Sequence, residues 1–221
     1  LRARDEEMWQ IRRSVEDAKM LAARLLVAQA RAQGTLPRIR DAEFKVFSQF
    51  GDDGIIQYLL HQLAPIERRF IEFGVEDYSE SNTRFLLMND NWRGLVIDGS
   101  RENVARLRQQ DYFWRHDLTA VQAFVDRDNV NGLFRDNGFS GPVGLLSIDI
   151  DGNDYWVWEA IEVVSPALVI CEYNAVFGPW RAVTVPYDPA FARTRAHPSN
   201  LYWGASLKAL CLLAARKGLA F

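Results

Sequence analysis

The chain has 221 residues, 48% of them apolar and 25% charged, with 26 Lys and Arg against 29 Asp and Glu for a formal net charge of −3. This balance excludes a disordered chain, and the slight acidity excludes a global basic field that would hold a nucleic-acid backbone. The length suits one domain plus an appendage, no apolar run reaches the ~20 residues that span a bilayer, and no signal-peptide pattern opens the sequence. Cys171 and Cys211 both sit in apolar runs and read as free thiols of a reducing compartment, so a cytoplasmic location is expected. A start at Leu1 and an abrupt stop at Leu219-Ala220-Phe221 suggest a fragment of a longer polypeptide, truncated at its C-terminus.

Residues 1–33 hold no Pro or Gly and are rich in Ala, Leu, Arg, Glu and Gln, which predicts one long amphipathic helix stopped by Gly34 and Pro37. Met8, Ile11, Val15, Ala18, Ala22 and Leu25 form its apolar seam. Residues 1–34 are therefore either a coiled-coil arm, for self-association or an adjoining domain, or a helix packed on the chain's own domain. The second unit, 42–221, alternates short apolar strands with helices. Helices are expected at Asp52–Leu63, Asn82–Asn89, Arg101–Gln110, in pieces over 120–136, at Asp154–Val163 and at Ala205–Lys217. Strands are expected at Arg69–Val75, Leu95–Asp98, Tyr112–His116, Val143–Asp149 and Ala167–Glu172, with what could be another beginning after Gly218. A long loop with Pro179, Pro186, Pro189 and Pro198 precedes the last helix. The fold class is α/β, a parallel sheet covered by helices on both faces. In such a sheet ligands bind beyond the carboxyl ends of the strands.

Those ends are polar. The first reads Glu72-Phe73-Gly74-Val75-Glu76-Asp77, where Gly74 lets backbone approach a ligand; there is no GxGxxG and no Walker lysine. Asp98 follows Gly74 by 24 residues, a spacing that suits a carboxylate accepting from ribose hydroxyls, with Ser100 available as helix cap instead. After the expected third strand, Asp117 is the candidate for an adenine amine, or a cap; His116 carries little weight. Asp149, Asp151 and Asp154 crowd six residues at the mouth of the fourth strand, and Glu172 and Asn174 follow the fifth. Grouped carboxylates need a compensator, and a hard divalent cation such as Mg²⁺ is a natural one. Trp180, Tyr187, Phe191, Tyr202 and Trp203 in or near the long loop suit a lid or a sugar-stacking surface, or simply pin the loop down.

The strings FIEFGVEDYSESNTRFLL, GLVIDGS, LLSIDIDGNDYWVWEAI, LVICEYNAVFGP, TVPYDP and GASLKAL, in this order over residues 45–221, resemble FkbM-like S-adenosylmethionine-dependent methyltransferases of the branch that modifies bacterial polysaccharides and glycans. The resemblance implies a Rossmann-like class I methyltransferase sheet, S-adenosylmethionine as donor and a saccharide hydroxyl as acceptor. It implies that Glu72, Gly74 and Glu76 surround the methionine portion, with Asn82 and Thr83 nearby. Asp98, Gly99 and Ser100 would hold the ribose and Asp117 the adenine side, while Gln49 and Asp53 of FSQFGDDGII close over the cofactor. Asp149, Glu172 and Asn174 would be metal ligands, although Tyr173 separates a pair that is adjacent in catechol-type enzymes. Asp151 or Asp154 would then be the base. Two other readings stand beside this one: a metal-independent enzyme with an Asp general base, and a degenerate domain that serves assembly through its long helix.

Overall fold

The computed structural model describes residues 2–220; Leu1 and Phe221, at the outer ends of the expected helix and last strand, lie outside it. Helix α1 (Arg2–Gln33) leads through a 3₁₀ turn at Ile39–Ala42 to α2 (Asp52–Leu63). Then come β1 (Arg69–Phe73), α3 (Arg84–Asp90), β2 (Arg93–Asp98), α4 (Arg101–Arg108), α5 (Asp111–Arg115) and β3 (Leu118–Gln122). The second half holds α6 (Val130–Asp136), β4 (Gly141–Ile148), α7 (Asp154–Ala160), β5 (Val164–Cys171), the short α8 (Arg193–Ala196) and α9 (Leu207–Arg216). All strand pairs are parallel, in the order β3-β2-β1-β4-β5. The chain reverses its direction of growth between β1 and β4, which makes that crevice the switch point of the sheet.

Alternation along each strand feeds two cores. Ile71 and Phe73 of β1, with Ile97, Leu146 and Ile148, pack against Phe134, Trp158 and Leu213 from α6, α7 and α9. Phe70, Val96 and Leu145 face the other way, onto Leu60, Leu86 and Leu107 from α2, α3 and α4. With both faces covered, the strands are nearly continuous apolar runs, as a parallel sheet requires.

Three expectations change. Tyr112–His116 is not a strand: Asp111–Arg115 is one helical turn, and the strand is Leu118–Gln122. Second, α1 is one helix that packs on its own domain, but through Met20, Ala23 and Val27, set against Val46, Phe47 and Phe85. The Glu16–Arg84 ion pair at 3.0 Å and Lys19 Nζ on the Val46 carbonyl at 2.8 Å fix it there. The expected seam points away, with Met8, Ile11, Val15 and Leu25 exposed. Third, residues 218–220 form no strand. Cys171 and Cys211 are free thiols, and among the described residues no helix is long and apolar enough to cross a membrane.

Candidate functional site

Register places the strand ends level. Phe73 pairs with Ile97 on one side and Ile148 on the other, and Ile148 pairs with Cys171. Gly74, Asp98, Asp149 and Glu172 therefore emerge side by side. They line a cavity of about 530 Å³, within the usual range for a small-molecule or cofactor pocket. The cavity lies beyond the carboxyl ends of the strands, where ligands of such sheets bind.

Gly74 forms the floor at the switch point. Its φ is +79°, and a Cβ there would lie 1.4 Å from the Asp149 carbonyl oxygen, so β1 and β4 can close on each other only with glycine between them. The next turn is also unusual: Glu76 takes φ +48°, and its N–H donates to Asp98 Oδ2 at 2.8 Å. Asp98 Oδ1 accepts from Ser100 N–H at 2.7 Å. Asp98 is thus a buried acceptor in the wall, held between the β1 turn and the β2 turn, and Gly99 lines the cavity beside it. Ser100 does not line it; its hydroxyl accepts from Asn103 N–H and caps α4.

Several residues expected around the cofactor serve the wall itself. Glu72 lines the cavity, but both oxygens are taken: Oε2 by the Ser81 and Thr83 hydroxyls at 2.6 and 2.5 Å, and Oε1 by Asn82 N–H at 2.9 Å. Burial pushes this carboxyl up despite those donors. Thr83 is fully buried behind it and does not line the cavity. Asn82 does, and its amide ties the loop to Ser147 of β4 at 3.1 Å. Asp53 is buried away from the cavity: Oδ2 accepts from the N–H groups of Val46, Phe47 and Ser48 and from the Ser48 hydroxyl. It fixes the loop that brings Gln49 and Phe50 to the rim.

Asp117 is a correction. Because the third strand starts at Leu118, Asp117 precedes it, at the amino edge of the sheet and opposite to the cavity. There it pairs with Arg93 at 3.7 Å and is 71% exposed in its side chain. The residues that follow β3 are Ala123, Phe124 and Val125, which give the cavity an apolar wall.

The acidic mouth divides into three. Asp149 and Glu172 line the cavity side by side, each directly after one of the paired residues Ile148 and Cys171. Burial raises both carboxyls, and the negative charge of the neighbouring carboxylates raises Glu172 further, to about 8, so the pair holds a proton between its two members at neutral pH. Asp151 lines the cavity at φ +56°, paired with Arg193. Asp154 does not reach it. Wholly buried, it accepts from Ile150 and Gly152 N–H, both at 2.9 Å, and clamps the turn that carries Asp151. Asn174 also turns away: Nδ2 donates to the Leu201 and Trp203 carbonyls at 2.9 and 3.0 Å, and Oδ1 accepts from Val176 N–H. The expected set of Asp149, Glu172 and Asn174 is not assembled, because both ends of the Asn174 amide hold the loop. Among the described residues no group of three or more His, Cys, Asp and Glu is placed to hold a metal ion.

Asn153, at the acidic end, and the apolar wall after β3 are not among the residues the sequence singles out; Phe191, one of the loop aromatics, lines the acidic end as well. Its ring packs on Gly152, where a Cβ would come within 2.2 Å of it. The loop is therefore pinned by an aromatic and borders the cavity at the same time.

No protein-family model matches the sequence, and no curated protein matches it. Among solved structures, the chain is similar to a crystal structure of the N-terminal domain of EvdMO1 obtained in the presence of SAH and D-fucose. The identity is 10% over 88% of this chain and 85% of that one, with a TM-score of 0.46. A likeness that distant adds nothing to what the strands and the cavity themselves establish.

Proposed function

We propose that the chain is an S-adenosylmethionine-dependent methyltransferase whose acceptor is a saccharide hydroxyl, working without a metal ion. The observation that carries the reading is the cavity at the β1/β4 switch point, floored by Gly74 and flanked by Asp98 at the end of the neighbouring strand. The ordered motifs of the sequence supply the donor and the acceptor class.

The donor, when bound, supplies an electrophilic methyl group on a sulfonium. Asp98 would accept from its ribose hydroxyls, and Phe124 with Ala123 and Val125 offers the apolar surface for a flat base. Gly74 would present bare backbone to the methionine portion, and Glu76, whose carboxylate has no hydrogen bond among the described residues, would offer it an acceptor. The chain's own chemical task is small: hold the acceptor oxygen in line and take one proton. Asp149, which lines the cavity at the end of β4 with Glu172 beside it at the end of β5, is the group that takes it. Asp151 is held by Arg193 and Asp154 by two backbone N–H groups, so both position the turn and neither is the base. The metal-assisted form loses its third ligand with Asn174, and no step is assigned to a cation.

Calorimetry of S-adenosylmethionine with the chain, with and without Mg²⁺, tests this. Micromolar binding that Mg²⁺ leaves unchanged is expected. No binding, or binding only with Mg²⁺, would refute the assignment.

A further inference from the structure

We propose that the acceptor end of the cavity admits an uncharged or amine-bearing polyol and rejects phosphorylated, nucleotide-linked or carboxylate-bearing sugars, with Asn153 as the specificity-determining contact. This rests on the methyl-transfer reading above. Asn153 is 4% exposed, stands just before α7 and lies in the cavity wall. Its Nδ2 donates to the Asp188 carbonyl at 2.8 Å, which sets the orientation of the amide and leaves Oδ1 buried with no partner. A buried acceptor left unpaired keeps its whole desolvation cost, so Asn153 Oδ1 calls for a ligand that donates. Hydroxyl and ammonium groups donate. Phosphate and carboxylate oxygens at neutral pH only accept.

The surroundings act in the same direction. Eight acidic side chains line the cavity, and among the described residues no Lys or Arg does. Arg193, whose guanidinium reaches this end, is spent on Asp151 and lies 4.6 Å from the Trp203 ring. An anionic acceptor would thus meet negative potential without a counter-charge, in a recess where screening is weak. Phe191 completes the match. A sugar ring has a hydroxyl edge and an apolar C–H face, and here acceptor atoms stand beside an aromatic ring.

The experiment uses the full chain saturated with S-adenosylhomocysteine. Binding of methyl glucoside, glucosamine, methyl glucuronide and glucose 1-phosphate is titrated by saturation-transfer NMR at low and high salt. The first two should bind, the anionic pair at least tenfold more weakly, and the gap should narrow as salt rises. Asn153→Leu, of similar volume, should weaken methyl glucoside at least tenfold and leave S-adenosylhomocysteine affinity within twofold. Should that variant not fold, because the same amide ties down Asp188, the comparison of probe charges on the unaltered chain decides alone. Equal binding of neutral and anionic probes, no binding of any probe, or methyl glucoside affinity unchanged in Asn153→Leu would overturn the proposal. A chain that binds no S-adenosylhomocysteine at all overturns the methyl-transfer reading itself, and the proposal with it.

Discussion

Replacing Gly74 by Ala tests the floor of the cavity directly. The added methyl would start 1.4 Å from the Asp149 carbonyl oxygen, whereas carbon and oxygen ordinarily approach to about 3.3–3.6 Å. Either the β1 turn or the end of β4 must retreat by roughly 2 Å, more than a close-packed interior absorbs without loss. A φ of +79° adds about 1 kcal/mol for a residue with a Cβ, and overpacking adds about 1–3 kcal/mol. A total near 3 kcal/mol in a domain of this size lowers Tm by roughly 6–12 °C. The moving atoms belong to Asp149 and to the turn that donates to Asp98, so affinity for S-adenosylmethionine should also fall at least tenfold. Gly218→Ala is the control: φ is +77° just beyond α9, but a Cβ there meets nothing within 4 Å, so only the conformational cost should appear. Thermal unfolding and calorimetry of the two variants suffice. If Gly74→Ala melts within 2 °C of Gly218→Ala and binds the donor normally, β1 and β4 do not meet as described.

Asp98→Asn should weaken S-adenosylmethionine by about 2 kcal/mol, roughly thirtyfold by calorimetry, because a charged acceptor of hydroxyls becomes neutral; an unchanged Kd removes Asp98 from the site. Chelation by EDTA should leave methyl transfer intact, while Asp149→Asn should abolish most turnover with donor affinity within twofold. Loss of activity in EDTA that Mg²⁺ restores would reinstate the cation. Burial raises Asp154 to about 6 from 3.8, so the folded state holds this proton more tightly than the unfolded chain. Its contribution is therefore fully present below about pH 4, is lost as pH rises to about 6, and is constant beyond that. The loss amounts to about 3 kcal/mol; urea midpoints from pH 4 to 7 should fall less steeply in Asp154→Asn, which keeps only the contributions of the other raised carboxyls, Glu72 and Glu172. Equal slopes in the two proteins would contradict the assignment.

Strand ends were legible because a parallel sheet hides its strands in apolar runs and leaves polar residues where they stop; RFIEF, GLVID and GLLSI announce themselves this way. The third strand did not. Tyr112, Phe113 and Trp114 have strand propensity, yet they form a helical turn because Tyr112 is buried among helices, near Tyr78 and Arg84. The true strand, LTAVQ, carries two polar residues since it lies at the sheet edge, and misplacing it moved Asp117 to the wrong end. Acid-rich turns were recognised as special, but partners decide what each acid does. Asp53, Asp154 and Asn174 point at backbone N–H or carbonyl groups of their own loops, and nothing in a local string distinguishes those from carboxylates facing solvent or ligand. For α1, spacing selected Met8 to Leu25 as the seam, while the buried stripe runs through Met20, Ala23 and Val27, which meet Val46, Phe47 and Phe85.

Arg84 has consequences beyond its own contacts. Its guanidinium lies between the Phe47 and Tyr112 rings, at 4.2 and 4.5 Å, and takes Glu16 of α1 as counter-ion. Its backbone N–H donates to the Ser81 hydroxyl, the same hydroxyl that grips Glu72 in the cavity wall. One residue thus belongs to two equilibria, the docking of a helix and the ordering of a loop. Reciprocity then applies: whatever free energy a bound ligand adds to the loop through this joint, helix docking gains in equal measure, and loosening the helix must withdraw the same amount from the ligand. The appendage is a thermodynamic party to the pocket it never touches.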